Sequence, residues 1–235
     1  MGQGASLGEH AGSNVKSTIE LGQSERPANM PLAPATRLPT PPVELIGRER
    51  DLAMTRGLIE LEHVRLLTLT GPGGVGKTRL ALNAASMIAA RYPDGVVWAP
   101  LAPLEHAALV IPTIVRACGL GETAGRDPQD ALKAALHPRR ALLVLDNFEH
   151  LLDAAPDVAD LLLACPDVDV LATSRAALNL RGEQEYAVHP LDIPPADRSS
   201  ADEQAESPAV RLFVRRTQAA QPSFTLTPDN AELSG

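Results

Sequence analysis

Lysine is the scarcest charged residue in this chain. Of 21 basic residues only Lys16, Lys77 and Lys133 are lysines; the rest are arginine. Cysteine is nearly absent too, and two thiols (Cys118 and Cys165) exclude a disulfide framework and fit a reducing compartment. Six aromatic residues (Trp98, Tyr92, Tyr186, Phe148, Phe213 and Phe224) are too few to build stacking platforms for single-stranded nucleic acid. No apolar run is long enough to span a membrane, and no basic start leads into an apolar run, so neither a membrane segment nor a signal peptide is read. Positive charge is not in excess: the formal net charge is −8 and the isoelectric point about 5.2, which excludes wrapping nucleic acid through bulk charge. What is present is an ordinary globular composition. The 235 residues are 44% hydrophobic and 21% charged, enough for one sizeable core and a tail, and a cytoplasmic protein is expected.

Residues 1–42 are rich in Gly, Ser and Ala, then in Pro, and three acids there balance three bases. Such a segment buries too little apolar surface to offset its ordering entropy, so a disordered tail is expected. Its first residues, Met1-Gly2-Gln3-Gly4-Ala5-Ser6, also fit the short myristoylation pattern. From Val43 onward strands and helices alternate. Helical spacing is read over 48–62, 78–91, 107–118, 127–137, 151–164 and 208–220. Strands are expected at 64–70, 95–99, 141–145, 168–172 and 185–188, with an acidic loop at 196–207. Asp127 is placed as an N-cap with Pro128 at the first helical position. The alternation points to a mainly parallel α/β sheet. No internal repeat is visible.

The stretch Gly71-Pro72-Gly73-Gly74-Val75-Gly76-Lys77-Thr78 satisfies the Walker A pattern. Its glycines let the backbone curl so that successive N–H groups face a phosphate without β-carbons in the way. The helix that follows adds its N-terminal dipole. Lys77 supplies a point charge to the β and γ phosphates, and the Thr78 hydroxyl is placed on Mg²⁺. The competing reading is a chance glycine-rich turn. Against it, the loop follows a strand, opens a helix and uses one of only three lysines.

A phosphate loop alone does not separate kinases from ATPases or GTPases. The apolar run 141–145 ends at Asp146, a Walker B candidate that would hold Mg²⁺ through its waters; a helix-capping aspartate is the plainer reading. Arg175 follows the next strand, where it would read a γ-phosphate or form a surface salt bridge. Two strand-like segments after the loop helix precede that strand. This spacing suits the ATPase branch in which a strand is inserted between the two Walker strands (ASCE type).

In order along the chain stand Ile46-Gly47-Arg48-Glu49-Arg50, the segment 67–80, Leu142-Leu143-Val144-Leu145-Asp146-Asn147-Phe148-Glu149-His150, Thr173-Ser174-Arg175 and Ala209-Val210-Arg211-Leu212-Phe213. Together they resemble the nucleotide-binding domain of STAND ATPases, the NB-ARC-like (AP-ATPase) group, and most of all bacterial regulators of the LuxR and AfsR/SARP type. The resemblance covers roughly residues 43–230. It implies a P-loop NTPase domain with an α/β/α three-layer fold, acting as a switch between ADP-bound closed and ATP-bound open states that slow hydrolysis resets. By the family pattern Ile46 and Arg48 lie near adenine and ribose, and residues 73–78 hold the phosphates. Asp146 serves Mg²⁺ with Thr78, and Arg175 senses the γ-phosphate.

This sequence departs from the pattern twice. Many relatives carry a second acid after the Walker B aspartate as the base for the attacking water; here Asn147 stands, which accepts no proton at neutral pH. Asn147 could still orient a water, or Glu149 could substitute, so nucleotide binding is expected more firmly than hydrolysis. Relatives also continue into a Gly-Leu-Pro-Leu segment and a winged helix, and residues 230–235 come before either. A truncated gene product or a piece of a larger regulator is therefore expected, with self-association on ATP binding and with DNA contact only through domains outside this chain. The alternatives are a non-catalytic oligomerisation module that keeps the loop as scaffold, and a P-loop kinase, for which no arginine-rich lid is visible.

Other candidates read plainly. His63, His106, His137, His150 and His189 fit no metal-ligand spacing. Cys118 and Cys165 are placed in the core. Arg79, directly after Thr78, would approach a phosphate or lie on the helix surface. Arg181, Arg211, Arg215 and Arg216 read as a solvated basic face.

Overall fold

The computed structural model describes residues 38–39, 45–121, 125–192 and 207–225. The expected tail apart from residues 38–39, with its myristoylation pattern, most of the acidic loop and the final ten residues lie outside that range.

Strand β1 (Leu66–Thr70) is buried at every position, as a strand covered on both faces must be. It sits inside a five-stranded sheet with β2 (Val96–Pro100), β3 (Ala141–Asp146), β4 (Val168–Thr173) and β5 (Glu183–Ala187). The order is β2-β3-β4-β1-β5 and every pairing is parallel. β4 thus lies between β1 and β3, which is the inserted strand that the sequence spacing anticipated. The helices that join one strand to the next therefore cross over above or below the sheet, as parallel connections require.

Successive side chains on β3 point to opposite faces, and both faces are dry. Ala141, Leu143 and Leu145 join one core with Ile114 of α3 (Val110–Ala117), Leu132 and Leu136 of α4 (Pro128–Leu136) and Val158 and Leu161 of α5 (Ala155–Ala164). Leu142 and Val144 join the other with Ile59 of α1 (Glu49–Ile59) and Leu80, Ala85 and Ile88 of α2 (Lys77–Ile88). Helices on both faces make three layers. Each fully buried leucine contributes about 1.5–3 kcal/mol, so the site built on this sheet has a stiff floor.

Cys118 and Cys165 are buried, unpaired thiols. Burial pushes Cys118 up to about 12 and raises Cys165 as well, so both are inert core residues as expected. Asp127 caps α4, accepting from the N–H of Gln129 (2.8 Å) and of Asp130 (3.3 Å), with Pro128 at the helix start.

Some boundaries differ from the sequence reading for a local reason. The helix expected from 107 opens as a 3₁₀ turn, Ala107–Leu109, and the one expected from 151 as another, Leu152–Ala154. Pro112 and Pro156 carry no N–H for the carbonyls of residues 108 and 152 and their rings crowd those oxygens, so the first turn tightens. The last strand begins at Glu183 rather than 185. It is an edge strand whose glutamates obscure the β signal and are at home beside solvent.

Arg65 is a structural clamp the sequence reading did not single out. Its guanidinium donates to the carbonyls of Leu162 (2.7 Å) and Val168 (2.7 Å), tying the end of α5 to the start of β4. The last helix, α6 (Pro208–Ala220), has the expected bounds and buries none of its residues. Arg181, Arg211, Arg215 and Arg216 are all exposed. Among the described residues no helix is long and apolar enough to cross a membrane, and no group of His, Cys, Asp and Glu clusters in a way that would hold a metal ion.

Candidate functional site

Between β1 and α2 the chain turns through Gly71–Gly76. Gly71 has φ +141°, and a β-carbon there would lie 2.5 Å from the carbonyl oxygen of Val188; no other residue fits that approach. Gly76 takes the N-cap position of α2 in the left-handed region (φ 98°, ψ 18°), which an L side chain rarely adopts. Glycine as cap offers no side chain to the first N–H groups of this twelve-residue helix, and no acid lies in its first turn. Open donors and the dipole together favour an anion at this point. β-Carbons placed on Gly74 and Gly76 would meet nothing within 4 Å, so the loop is open on its outer side.

Lys77 folds back over the loop. Its Nζ donates to the carbonyls of Gly71 (2.7 Å) and Pro72 (2.9 Å). Burial lowers its pKa from the usual lysine value, and the nearby Glu149 carboxylate is the strongest opposing influence. Arg79 is partly buried in the first turn of α2.

The end of β3 meets the start of α2 through hydroxyl groups. Asp146 Oδ1 accepts from Thr78 Oγ1 at 2.7 Å and from Thr173 Oγ1 at 2.6 Å. Thr173 Oγ1 in turn accepts from the Asn147 N–H at 2.9 Å. This places Asp146, 8% exposed, directly beside the threonine that the motif assigns to Mg²⁺. One carboxylate and one hydroxyl suit a hard cation that keeps several waters and takes its remaining oxygens from phosphates. Donor chemistry and loop geometry fit a Mg²⁺–nucleotide.

Asn147 is left-handed (φ 69°, ψ 53°) and turns the chain into the 3₁₀ segment Phe148–His150. The turn carries Glu149 back towards Arg175, whose Nε lies 3.1 Å from Glu149 Oε1. Arg175 also reaches the loop: its Nη2 stands 3.8 Å from where a β-carbon on Gly73 would be. Lys77, Thr78, Asp146, Asn147 and Arg175 are thus gathered at one edge of the sheet, the carboxyl ends of β1, β3 and β4.

Ile46 and Arg48 lie to one side. Ile46 is buried. Arg48, 7% exposed, donates through Nη2 to the Val75 carbonyl (2.8 Å) and through Nη1 to Asp51 Oδ2 (2.7 Å). Its guanidinium is therefore committed to the loop and to α1 rather than standing clear to meet a sugar. Tyr186 on β5 donates to Asp51 Oδ1 at 2.6 Å, and burial followed by that carboxylate pushes its phenol up to about 12. Arg48, Asp51, Met54, Tyr186 and His189 line a cavity of about 570 Å³ beside the loop. Thr173, Asp51 and Tyr186 were not singled out from sequence as working parts of the site. For Thr173 the signal existed, since a strand inserted beside β3 must bring its own end next to Asp146.

The model of the AAA domain family matches residues 60–187, more than half of the chain. An HTH-type transcriptional regulator assigned in Mycobacterium tuberculosis is 44% identical over 176 residues, 74% of this chain and 18% of its own length. The regulatory protein AfsR of Streptomyces griseus is 30% identical over 207 residues, covering 81% of this chain and 20% of AfsR. The chain therefore spans about a fifth of these curated relatives. Among solved structures, the Aeropyrum pernix ORC2 protein in its ADPNP–ADP complexes superposes with a TM-score of 0.54 at 16% identity, over 86% of this chain and 71% of that one. A STAND protein with a tetratricopeptide-repeat sensor from Pyrococcus horikoshii gives 0.48 at 18% identity, over 86% and 29%. The sheet order, the glycine loop opening α2 and the residues matched agree, and this chain belongs to the AAA domain family of P-loop proteins.

Proposed function

We propose that the chain is the Mg²⁺-dependent ATP/ADP-binding module of a STAND-type, NB-ARC-like signalling switch within a transcriptional regulator, with slow hydrolysis resetting it. The observation that carries this reading is the meeting of Lys77, Thr78 and Asp146 at an uncapped helix start. Residues 73–78 cradle the phosphates with backbone N–H groups. Lys77 exchanges the carbonyls of Gly71 and Pro72 for β and γ oxygens. Thr78 and Asp146 hold Mg²⁺, which when bound neutralises charge between those phosphates. Arg175 reads the γ-phosphate. Arg48 shapes the loop through Val75, and the cavity beside it, with Ile46 behind, receives the nucleoside. Arg79 lies close enough in sequence to assist. The relatives' names support the regulator context; self-association on ATP binding and DNA contact would involve other parts of such a protein. That context and the buried free thiols support a cytoplasmic location.

Titration calorimetry of the full chain with Mg²⁺ and ATP or ADP tests this. Wild type binds both, and Lys77→Ala loses most of the affinity. Unchanged affinity in Lys77→Ala sinks the assignment. Asn147 in place of a second acid favours a second reading, an interaction module that binds nucleotide without turnover. Phosphate release above a Thr78→Ala control excludes it.

A further inference from the structure

Glu149 carries an oxygen with nothing to do. Its side chain is 15% exposed, and while Oε1 pairs with Arg175, Oε2 is buried with no hydrogen-bond partner among the described residues. Buried carboxylate oxygens are nearly always satisfied, and one that no protein group satisfies calls for an explanation, a catalytic role among them. The position is not loose. Phe148 on one side is fully buried, and His150 on the other holds the Leu104 carbonyl through Nε2 at 2.8 Å. The left-handed Asn147 before them aims the turn.

The surroundings name the space that Glu149 faces. Arg175, its partner, extends to Gly73 in the phosphate loop, and among the charges near Lys77 the Glu149 carboxylate acts most strongly. The arginine side chain is 68% exposed, so the pair is weak and exchangeable. A phosphate oxygen pair, with more charge and a matching fork, outcompetes one carboxylate oxygen for guanidinium.

We propose that Glu149, rather than Asn147, is the carboxylate that polarises the attacking water, and that Arg175 holds it in reserve until a γ-phosphate draws the guanidinium away. The inference rests on the reading that residues 73–78 hold the phosphates of ATP. Once released, Glu149 accepts a proton from water as the water oxygen bonds to the γ-phosphorus. The bond from that phosphorus to the bridging oxygen breaks, its electron pair stays on the β-phosphate of ADP, and inorganic phosphate leaves. The Asn147 amide cannot take that proton; its contribution is the turn.

The test uses the full chain as wild type, Glu149→Gln, Arg175→Ala and the double variant, with single-turnover phosphate release and calorimetric affinities for ATP and ADP. Glu149→Gln is expected to slow phosphate release by at least about 100-fold. It is also expected to raise the ATP-to-ADP affinity ratio about threefold, because Arg175 is no longer shared. In the Arg175→Ala background the Glu149 change leaves that ratio alone, an effect that a merely structural role would not produce. Melting curves confirm that each variant is folded; if Glu149→Gln is not, Arg175→Ala alone must lower the ratio or the proposal falls. Wild-type turnover in Glu149→Gln overturns it, as does a wild type that binds ATP yet releases no phosphate. A wild type that binds no ATP overturns the phosphate-site reading itself, which is a different failure.

Discussion

Thr78 Oγ1 donates a 2.7 Å hydrogen bond to Asp146 Oδ1 across 68 positions of sequence. The bond joins the first turn of α2 to the last residue of β3, and Thr173 closes it from β4 on the same oxygen. Two strands and a helix therefore agree on where that carboxylate stands before any ligand arrives. Asp146→Asn keeps the shape and removes the charge. We expect it to cut the Mg²⁺-dependent part of ATP affinity by about tenfold or more while leaving binding in EDTA nearly unchanged. Paired titrations with and without the ion measure this, and an equal loss in both arms counts against a Mg²⁺ role.

Gly71→Ala is expected to destabilise the fold by about 1–3 kcal/mol. The added carbon would stand 2.5 Å from the Val188 oxygen, on a residue with φ +141°. Val188 N–H also bonds the Thr70 carbonyl at 2.7 Å, so β5 cannot simply retreat. Chemical denaturation reads the loss. Gly74→Ala, whose new carbon meets open space, isolates the cost of positive φ from the cost of collision.

Lys77 gives stability a pH slope. In the folded state its pKa lies below the ordinary 10.5, chiefly through burial. Between that lowered value and 10.5 the unfolded chain binds more protons here than the folded one, so stability at this residue rises with pH through that window. Lys77→Met removes this contribution. The difference in melting temperature between wild type and Lys77→Met, followed from pH 8 upward, should therefore move in favour of wild type. Parallel curves would show that the lysine is not desolvated.

Arg65→Met keeps the aliphatic stem and removes three charge-assisted bonds, to the carbonyls of Leu162, Cys165 and Val168. A loss of about 2 kcal/mol is expected. Because the clamp lies at the amino ends of the strands, nucleotide affinity should not change, and a calorimetric titration of the variant checks that separation.

The phosphate loop was legible because its signals are local: four glycines, a rare lysine, an apolar strand before and an apolar helix after. The strand inserted between the two Walker strands was legible from spacing. What was not legible came from contacts between distant parts. Arg48 lies 27 positions from Val75 and Tyr186 lies 135 from Asp51, and neither residue type announces a partner. For Arg48 the family pattern suggests a place near adenine and ribose, and the structure adds its bonds to a loop carbonyl and to Asp51. Helix starts at residues 107 and 151 were read too simply because apolar spacing does not record what a proline does to the preceding turn.

The bond from Arg48 to the Val75 carbonyl has a mechanical meaning. Through Asp51 and Tyr186 the same guanidinium is geared to β5, so helix α1, the edge strand and the tip of the loop move as one piece or part company altogether. A hydrogen bond tolerates only a few tenths of an ångström of stretch. A displacement of α1 against the loop would therefore lengthen or break the Arg48–Val75 bond.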